Sequence, residues 1–145
     1  MALINVFENK LVNNHTNSDG FLIIYTYSSQ ISNIIKQFDT KFLLLFGART
    51  EAECLFKDEF LKFSDNNPNF QFEVYYSKEP TSQTEATYIH HGYVQTGFHL
   101  YDFNPQQDMV YLCGNPNMID EAYPMLSSMG FTAHNVRREK YISSK

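Results

Sequence analysis

The run Met109-Val110-Tyr111-Leu112 stops at Cys113-Gly114-Asn115-Pro116, and an apolar segment with helical spacing follows at once. No other stretch of the chain limits its fold as much. A β-forming run delivers the backbone to a glycine, which has no Cβ and so lets a flat ligand come close. Asn115 and Pro116 then supply an N-cap and a first helical residue. A strand, a tight turn and a helix N-terminus in that order form the corner at which open α/β sheets bind ligands.

The rest of the chain extends the alternation. Phe21 to Tyr25 is an apolar run rich in β-formers, with Ser28 and Ser29 placed as caps before Ile31, Ile34, Ile35 and Phe38 at helical spacing. Lys41 to Phe46, closed by Gly47, predicts a second strand, and Glu51 to Phe63 a second helix ended by Asn66-Asn67-Pro68. Phe70 to Tyr76 alternates apolar and polar residues and predicts a third strand nearer the sheet edge. Lys78 to His91 is polar and aperiodic, which predicts a long loop, a kind more often functional than idle. A short helix over His91 to Leu100, the strand Met109 to Leu112, a long helix over Pro116 to Met129 and a closing strand over Ala133 to Tyr141 complete the pattern. Pro124 inside that long helix predicts a kink or an early end. Strands alternating with helices predict an α/β fold: a three-layer, Rossmann-like, doubly wound sheet of about five parallel strands, with right-handed crossovers and helices on both faces.

The 145 residues suit one domain with one sizeable core. Residues 11 to 20 are crowded with Asn, Ser, Thr, Asp and Gly, so residues 1–19 are expected to form a tail or linker and 20–145 the domain. A hydrophobic fraction of 43% excludes a disordered chain, and a net charge of −5 gives no footprint for nucleic acid or an anionic membrane surface. No apolar run nears the roughly 18 residues of a membrane span, and the N-terminus lacks a leader pattern, so a cytoplasmic protein is expected. Cys54 and Cys113 read as free thiols, and His90 and His91 have no carboxylate or thiol at ligand spacing, so no metal is expected. No Ser/His/Asp set or phosphate loop supports a hydrolase or a kinase.

Several of these segments carry a resemblance when taken in order. Leu43-Leu44-Leu45-Phe46-Gly47-Ala48-Arg49-Thr50 with Glu53-Cys54-Leu55-Phe56, then Pro68-Asn69-Phe70 leading to Tyr76-Ser77-Lys78-Glu79, are followed by Gly92-Tyr93-Val94, by Cys113-Gly114-Asn115-Pro116-Asn117-Met118 and by Arg138-Glu139-Lys140-Tyr141. Over about residues 21 to 141 the chain resembles the C-terminal, pyridine-nucleotide-binding lobe of the ferredoxin-NADP reductase family. In that family the lobe holds NAD(P)H so that hydride passes between its nicotinamide and the flavin of a preceding β-barrel domain.

The resemblance implies that Cys113, as the catalytic position, and Gly114 lie beside the nicotinamide, with Asn115, Pro116 and Met118 completing the turn. It implies that Arg49, Ser77 and Lys78 surround the adenosine ribose and its phosphate, that Thr26, Ser28 and Ser29 occupy the pyrophosphate position, and that Tyr141 stacks on a ring near the flavin. Each of these has a plainer reading. Cys113 is equally a small buried hydrophobe, Arg49 and Lys78 solvated charges, Ser28 and Ser29 simple N-caps, and Tyr141 a terminal aromatic packed on the sheet. Two departures from the family pattern bear on the cofactor. The family's Gly-Thr-Gly-x-x-Pro loop is replaced by Thr26-Tyr27-Ser28-Ser29-Gln30, with no glycine between Gly20 and Gly47, which weakens the expected pyrophosphate seat. Lys78 and Tyr93 stand where NADP-specific members carry arginines, which leaves NADP and NAD both open. With about twenty residues before the first strand, the flavin barrel is expected to be absent and FAD to be met only through a separate domain or subunit; a redox acceptor protein is a further expected partner. The alternative is a degenerate member of the fold that has lost dinucleotide binding and serves as an interaction or regulatory module.

Overall fold

The computed structural model describes residues 20–26, 41–54, 56–80 and 86–140. Six strands form one sheet: β1 (Gly20–Thr26), β2 (Lys41–Ala48), β3 (Phe70–Tyr76), β4 (Ile89–His91), β5 (Asp108–Gly114) and β6 (Val136–Lys140), in the order β4-β3-β2-β1-β5-β6. The helices are α1 (Lys57–Asn66) and α2 (Pro116–Ser128), with 3-10 segments at Glu51–Glu53 and Val94–Leu100. No described helix is long and apolar enough to cross a membrane.

The pairs β2/β3, β3/β4 and β5/β6 are parallel, whereas β1 is antiparallel to both β2 and β5. Four of the five predicted strands therefore share one direction and are joined in it by β4, while the other predicted strand, β1, runs against them through the middle. The reversal is a finding that the apolar run Phe21 to Tyr25 does not announce. Thr26 is the register partner of Lys41, so the chain leaves β1 and enters β2 at the same end of the sheet, which antiparallel neighbours do without a crossover. The caps Ser28 and Ser29 and the helix expected at Ile31 to Phe38 lie outside the described residues.

Alternating side chains divide the core into two layers. On one face Leu45, Tyr75, Val110 and Leu112 meet Val94 and Phe98 of the 3-10 helix and Met118, Ile119, Ala122 and Leu126 of α2. On the other, Leu44, Phe46, Phe72 and Val74 meet Phe60 of α1, with Phe60 and Phe72 ring centroids 5.2 Å apart. Ile119 and Leu126 are fully buried, and each such side chain contributes about 1.5–3 kcal/mol. This is the three-layer α/β arrangement, with helices on both faces.

Four local expectations change. The helix predicted over Glu51 to Phe63 is interrupted, because Phe56 takes a left-handed conformation (φ 61°) and α1 starts only at Lys57. The break turns Cys54 inward to 7% exposure, and the Phe56 carbonyl accepts the Phe60 N–H at 3.0 Å, so Phe56 closes the first turn of α1. Within the predicted loop Lys78 to His91, Ile89–His91 forms a short edge strand on β3. Helix α2 passes Pro124 and continues to Ser128; Pro124 and Asp120, whose carbonyl loses its donor, are both exposed, where water replaces the bond. The closing strand is Val136–Lys140, shorter than Ala133 to Tyr141.

Cys54 gives the core a measurable pH dependence. Burial pushes its thiol up from 9.0 to about 11, against a smaller opposing effect of the Tyr76 hydroxyl. The unfolded thiol then ionises before the folded one, so its contribution to stability is complete below pH 9 and lost as pH rises toward 11. Burial raises the Tyr76 hydroxyl in the same sense. Urea midpoints measured across that window should fall, and Cys54→Ala should reduce the fall.

Candidate functional site

The five parallel strands end at one rim of the sheet, where β2 passes to Arg49, β3 to Ser77 and Lys78, β4 to Gly92, and β5 to Gly114 and Asn115. Open α/β sheets bind ligands outside the carboxyl ends of their strands. Two backbone bonds lock the β2 and β3 turns together, Ser77 N–H to the Ala48 carbonyl at 3.0 Å and Lys78 N–H to the Arg49 carbonyl at 2.8 Å. Arg49, Ser77 and Lys78 are thus neighbours through rigid backbone. Arg49 and Lys78 are exposed, and no carboxylate among the described residues neutralises either. A guanidinium and an ammonium held this way suit a dianionic phosphate.

Neighbouring contacts fix the frame of these cations. The Glu79 carboxylate accepts the Glu51 N–H at 2.5 Å, Glu51 pairs with Lys57, and the Glu79 carbonyl lies 3.1 Å from His91 Nδ1. Gly92 N–H donates to the Tyr76 carbonyl at 3.0 Å, so the start of the next segment is tied to the same rim.

At the β5 turn Gly114 has φ 135°, a conformation that side-chain-bearing residues rarely adopt. Asn115 caps α2, its Oδ1 accepting the Asn117 N–H at 2.8 Å, and Pro116 occupies the first helical position. The remaining free N–H groups and the helix dipole make this end attractive to an anion. Met118 is buried in the α2-side core, and Cys113 is 1% exposed in the layer under α1. Asn115 is exposed at the mouth of the turn.

The structure thus brings Arg49, Ser77, Lys78, Cys113, Gly114, Asn115, Pro116 and Met118 to one rim. It does not bring Thr26 there. Because β1 is reversed, Thr26 pairs with Lys41 and Asp108 at the opposite end of the sheet from Gly114. Ser28, Ser29 and Tyr141 lie outside the described residues. Tyr93, noted from the sequence only as standing at an arginine position of the family, and Gln95, not singled out there, follow Gly92. Tyr93 is 51% exposed just after Gly92, and Gln95 is buried with its Nε2 on Glu121 Oε2 at 2.5 Å and its Oε1 without a partner.

The family model for the oxidoreductase NAD-binding domain matches residues 23–123. The chain belongs to that family. Its NAD-binding domain is the lobe that the ferredoxin-NADP reductase resemblance implied. A crystal structure of Amycolatopsis cytochrome P450 reductase GcoB matches this NAD-binding domain with a TM-score of 0.58 at 22% identity, over 68% of this chain and 28% of that one. At such identity the likeness concerns the fold, and the chain spans less than a third of that reductase. No curated protein gives a significant match.

Proposed function

We propose that this NAD-binding domain holds NADPH or NADH and positions the nicotinamide at the β5–α2 turn for hydride transfer to a flavin carried by another domain or subunit. The observation that carries the reading is the convergence, at one rim, of the Arg49/Ser77/Lys78 turn pair with the capped N-terminus of α2. The residues suit the group: Arg49 and Lys78 bring uncompensated positive charge, and Tyr93 an exposed ring on which a base stacks. When bound, the dinucleotide supplies the hydride, and this chain contributes position and electrostatics. A redox acceptor protein would draw electrons from the flavin. Cys54 and Cys113, both free thiols, suit a reducing, cytoplasmic compartment.

One observation favours a second reading. The first strand ends at the far side of the sheet from Gly114, and no glycine stands between Gly20 and Gly47, so among the described residues a pyrophosphate loop of the family type has no counterpart at the rim. On that reading the domain has lost dinucleotide binding and serves as an interaction or regulatory module. Thermal melts with NADH, NADPH and 2′-phosphorylated AMP separate the two. A ligand at a hundred times its Kd adds about 2.7 kcal/mol, roughly 5–10 °C for a domain of this size. The binding reading expects such a shift with at least one nucleotide; an unmoved melting point with all three at millimolar concentration supports the module instead.

A further inference from the structure

Arg49 and Lys78 stand on neighbouring turns, both exposed, and neither has a carboxylate partner among the described residues. Like charges so placed repel each other, and the backbone must restrain them. Two bonds supply the restraint. The Lys78 N–H donates to the Arg49 carbonyl at 2.8 Å, and two residues further on the Glu51 N–H donates to Glu79 Oε2 at 2.5 Å. The segment from Arg49 to Glu51 is therefore held at both ends against Lys78 and Glu79.

The second of these bonds has a distant source. Thr50 is the N-cap of the 3-10 turn Glu51–Glu53, yet its side chain makes no capping bond, and the acceptor comes from Glu79, 28 residues along the chain. Glu79 is half-buried, and its carbonyl lies 3.1 Å from His91 Nδ1, which ties its backbone to the end of β4. A carboxylate beside two cations readily pairs with one of them. Here a backbone donor occupies it, and both cations stay open to an anion. Two cations held at a fixed separation are preorganised for a phosphate, and preorganisation raises affinity without adding a contact.

We propose that Glu79 is a positioning residue that gives this rim its preference for a 2′-phosphorylated nucleotide. Its carboxylate acts as a hydrogen-bond tie, keeping Arg49 within reach of the same phosphate that Lys78 meets, and makes no contact with the ligand itself. The inference rests on the nucleotide-binding reading above. Calorimetric titration with NADPH and NADH, which differ only in the 2′-phosphate, tests it. The ratio of the two affinities is the readout, because a general loss of structure lowers both alike. The parent should favour NADPH. Glu79→Ala should cut that preference by about fivefold or more while NADH binding is kept, the mark of lost preorganisation. Glu79→Gln keeps an acceptor of the same shape without the charge, so its preference should equal or exceed the parent's. Glu51→Pro removes the donor instead, at a first-turn position preceded by the extended Thr50 (φ −140°, ψ 166°), where proline fits. It should lower the preference as Glu79→Ala does, which keeps the test decisive if the alanine variant does not fold. A parent that binds neither nucleotide would overturn the nucleotide reading and this inference with it. A parent that does not favour NADPH, a ratio unchanged in both Glu79→Ala and Glu51→Pro, or a ratio lost in Glu79→Gln would overturn the inference and leave the nucleotide reading standing.

Discussion

Gly97→Ala should lower stability by about 3 kcal/mol, the upper part of the overpacking range, and the melting temperature by roughly 10 °C. Two effects compete. Removing a glycine from a helical segment usually stabilises by about 0.4–1 kcal/mol through the unfolded chain. Here a Cβ at Gly97 would lie 2.1 Å from the Tyr75 hydroxyl oxygen and 2.5 Å from two ring carbons, far inside contact. The ring has nowhere to go. His90 stacks on it at 4.6 Å, its hydroxyl meets Tyr101, and the whole side chain is buried. Steric exclusion therefore outweighs propensity, and the sign of the change is itself the test: a variant as stable as the parent or more stable would show that Tyr75 is not held where described. Tyr75→Leu in the Gly97→Ala background should recover part of the loss, since the two positions are in contact and their effects do not add.

Arg49→Ala and Lys78→Ala should each weaken 2′-phosphorylated AMP by about ten- to a hundredfold, the worth of one charge-assisted contact of 1.5–3 kcal/mol. NADH, which lacks the 2′-phosphate, should bind each variant as it binds the parent. The expectation follows from the two inter-turn backbone bonds that hold both residues at one rim without a neutralising carboxylate. Equal losses for NADH and the phosphorylated ligand would place the cations elsewhere on the nucleotide. Because the contact is ionic and exposed, raising the salt concentration should narrow the gap between parent and variant.

Much of this rim was legible in the residues, and the reasons are specific. Gly114, Asn115 and Pro116 each satisfy a local requirement, a positive φ, a side-chain acceptor and a fixed φ, and local requirements are written in local sequence. The resemblance grouped Arg49 and Lys78, and both stand just after the carboxyl ends of apolar runs, which parallel strands bring to one side. The direction of β1 was not legible. Phe21 to Tyr25 has the same hydrophobic pattern whichever way it runs, and its orientation is set by what it pairs with. That one unreadable choice moved Thr26 across the sheet. The break at Phe56 was hidden for a related reason. The residues from Glu51 to Phe63 keep an apolar face, which does not reveal that Phe56, a non-glycine in a left-handed conformation that costs about 1–2 kcal/mol, breaks the helix while packing against the α1-side core. Edge strand β4, three residues long, is too short to show a period.

The reversal of β1 also sets where attachments emerge. Gly20 pairs with Gly47, and Lys140 with Gly114, so the chain enters β1 and leaves β6 on the same side of the sheet as the nucleotide turn, two strand spacings or about 10 Å apart. With a parallel first strand the entry would lie a full strand length away. A protein module tethered through either end is thereby delivered to the rim where the cations and the α2 N-terminus converge, and a short linker holds it there at millimolar effective concentration.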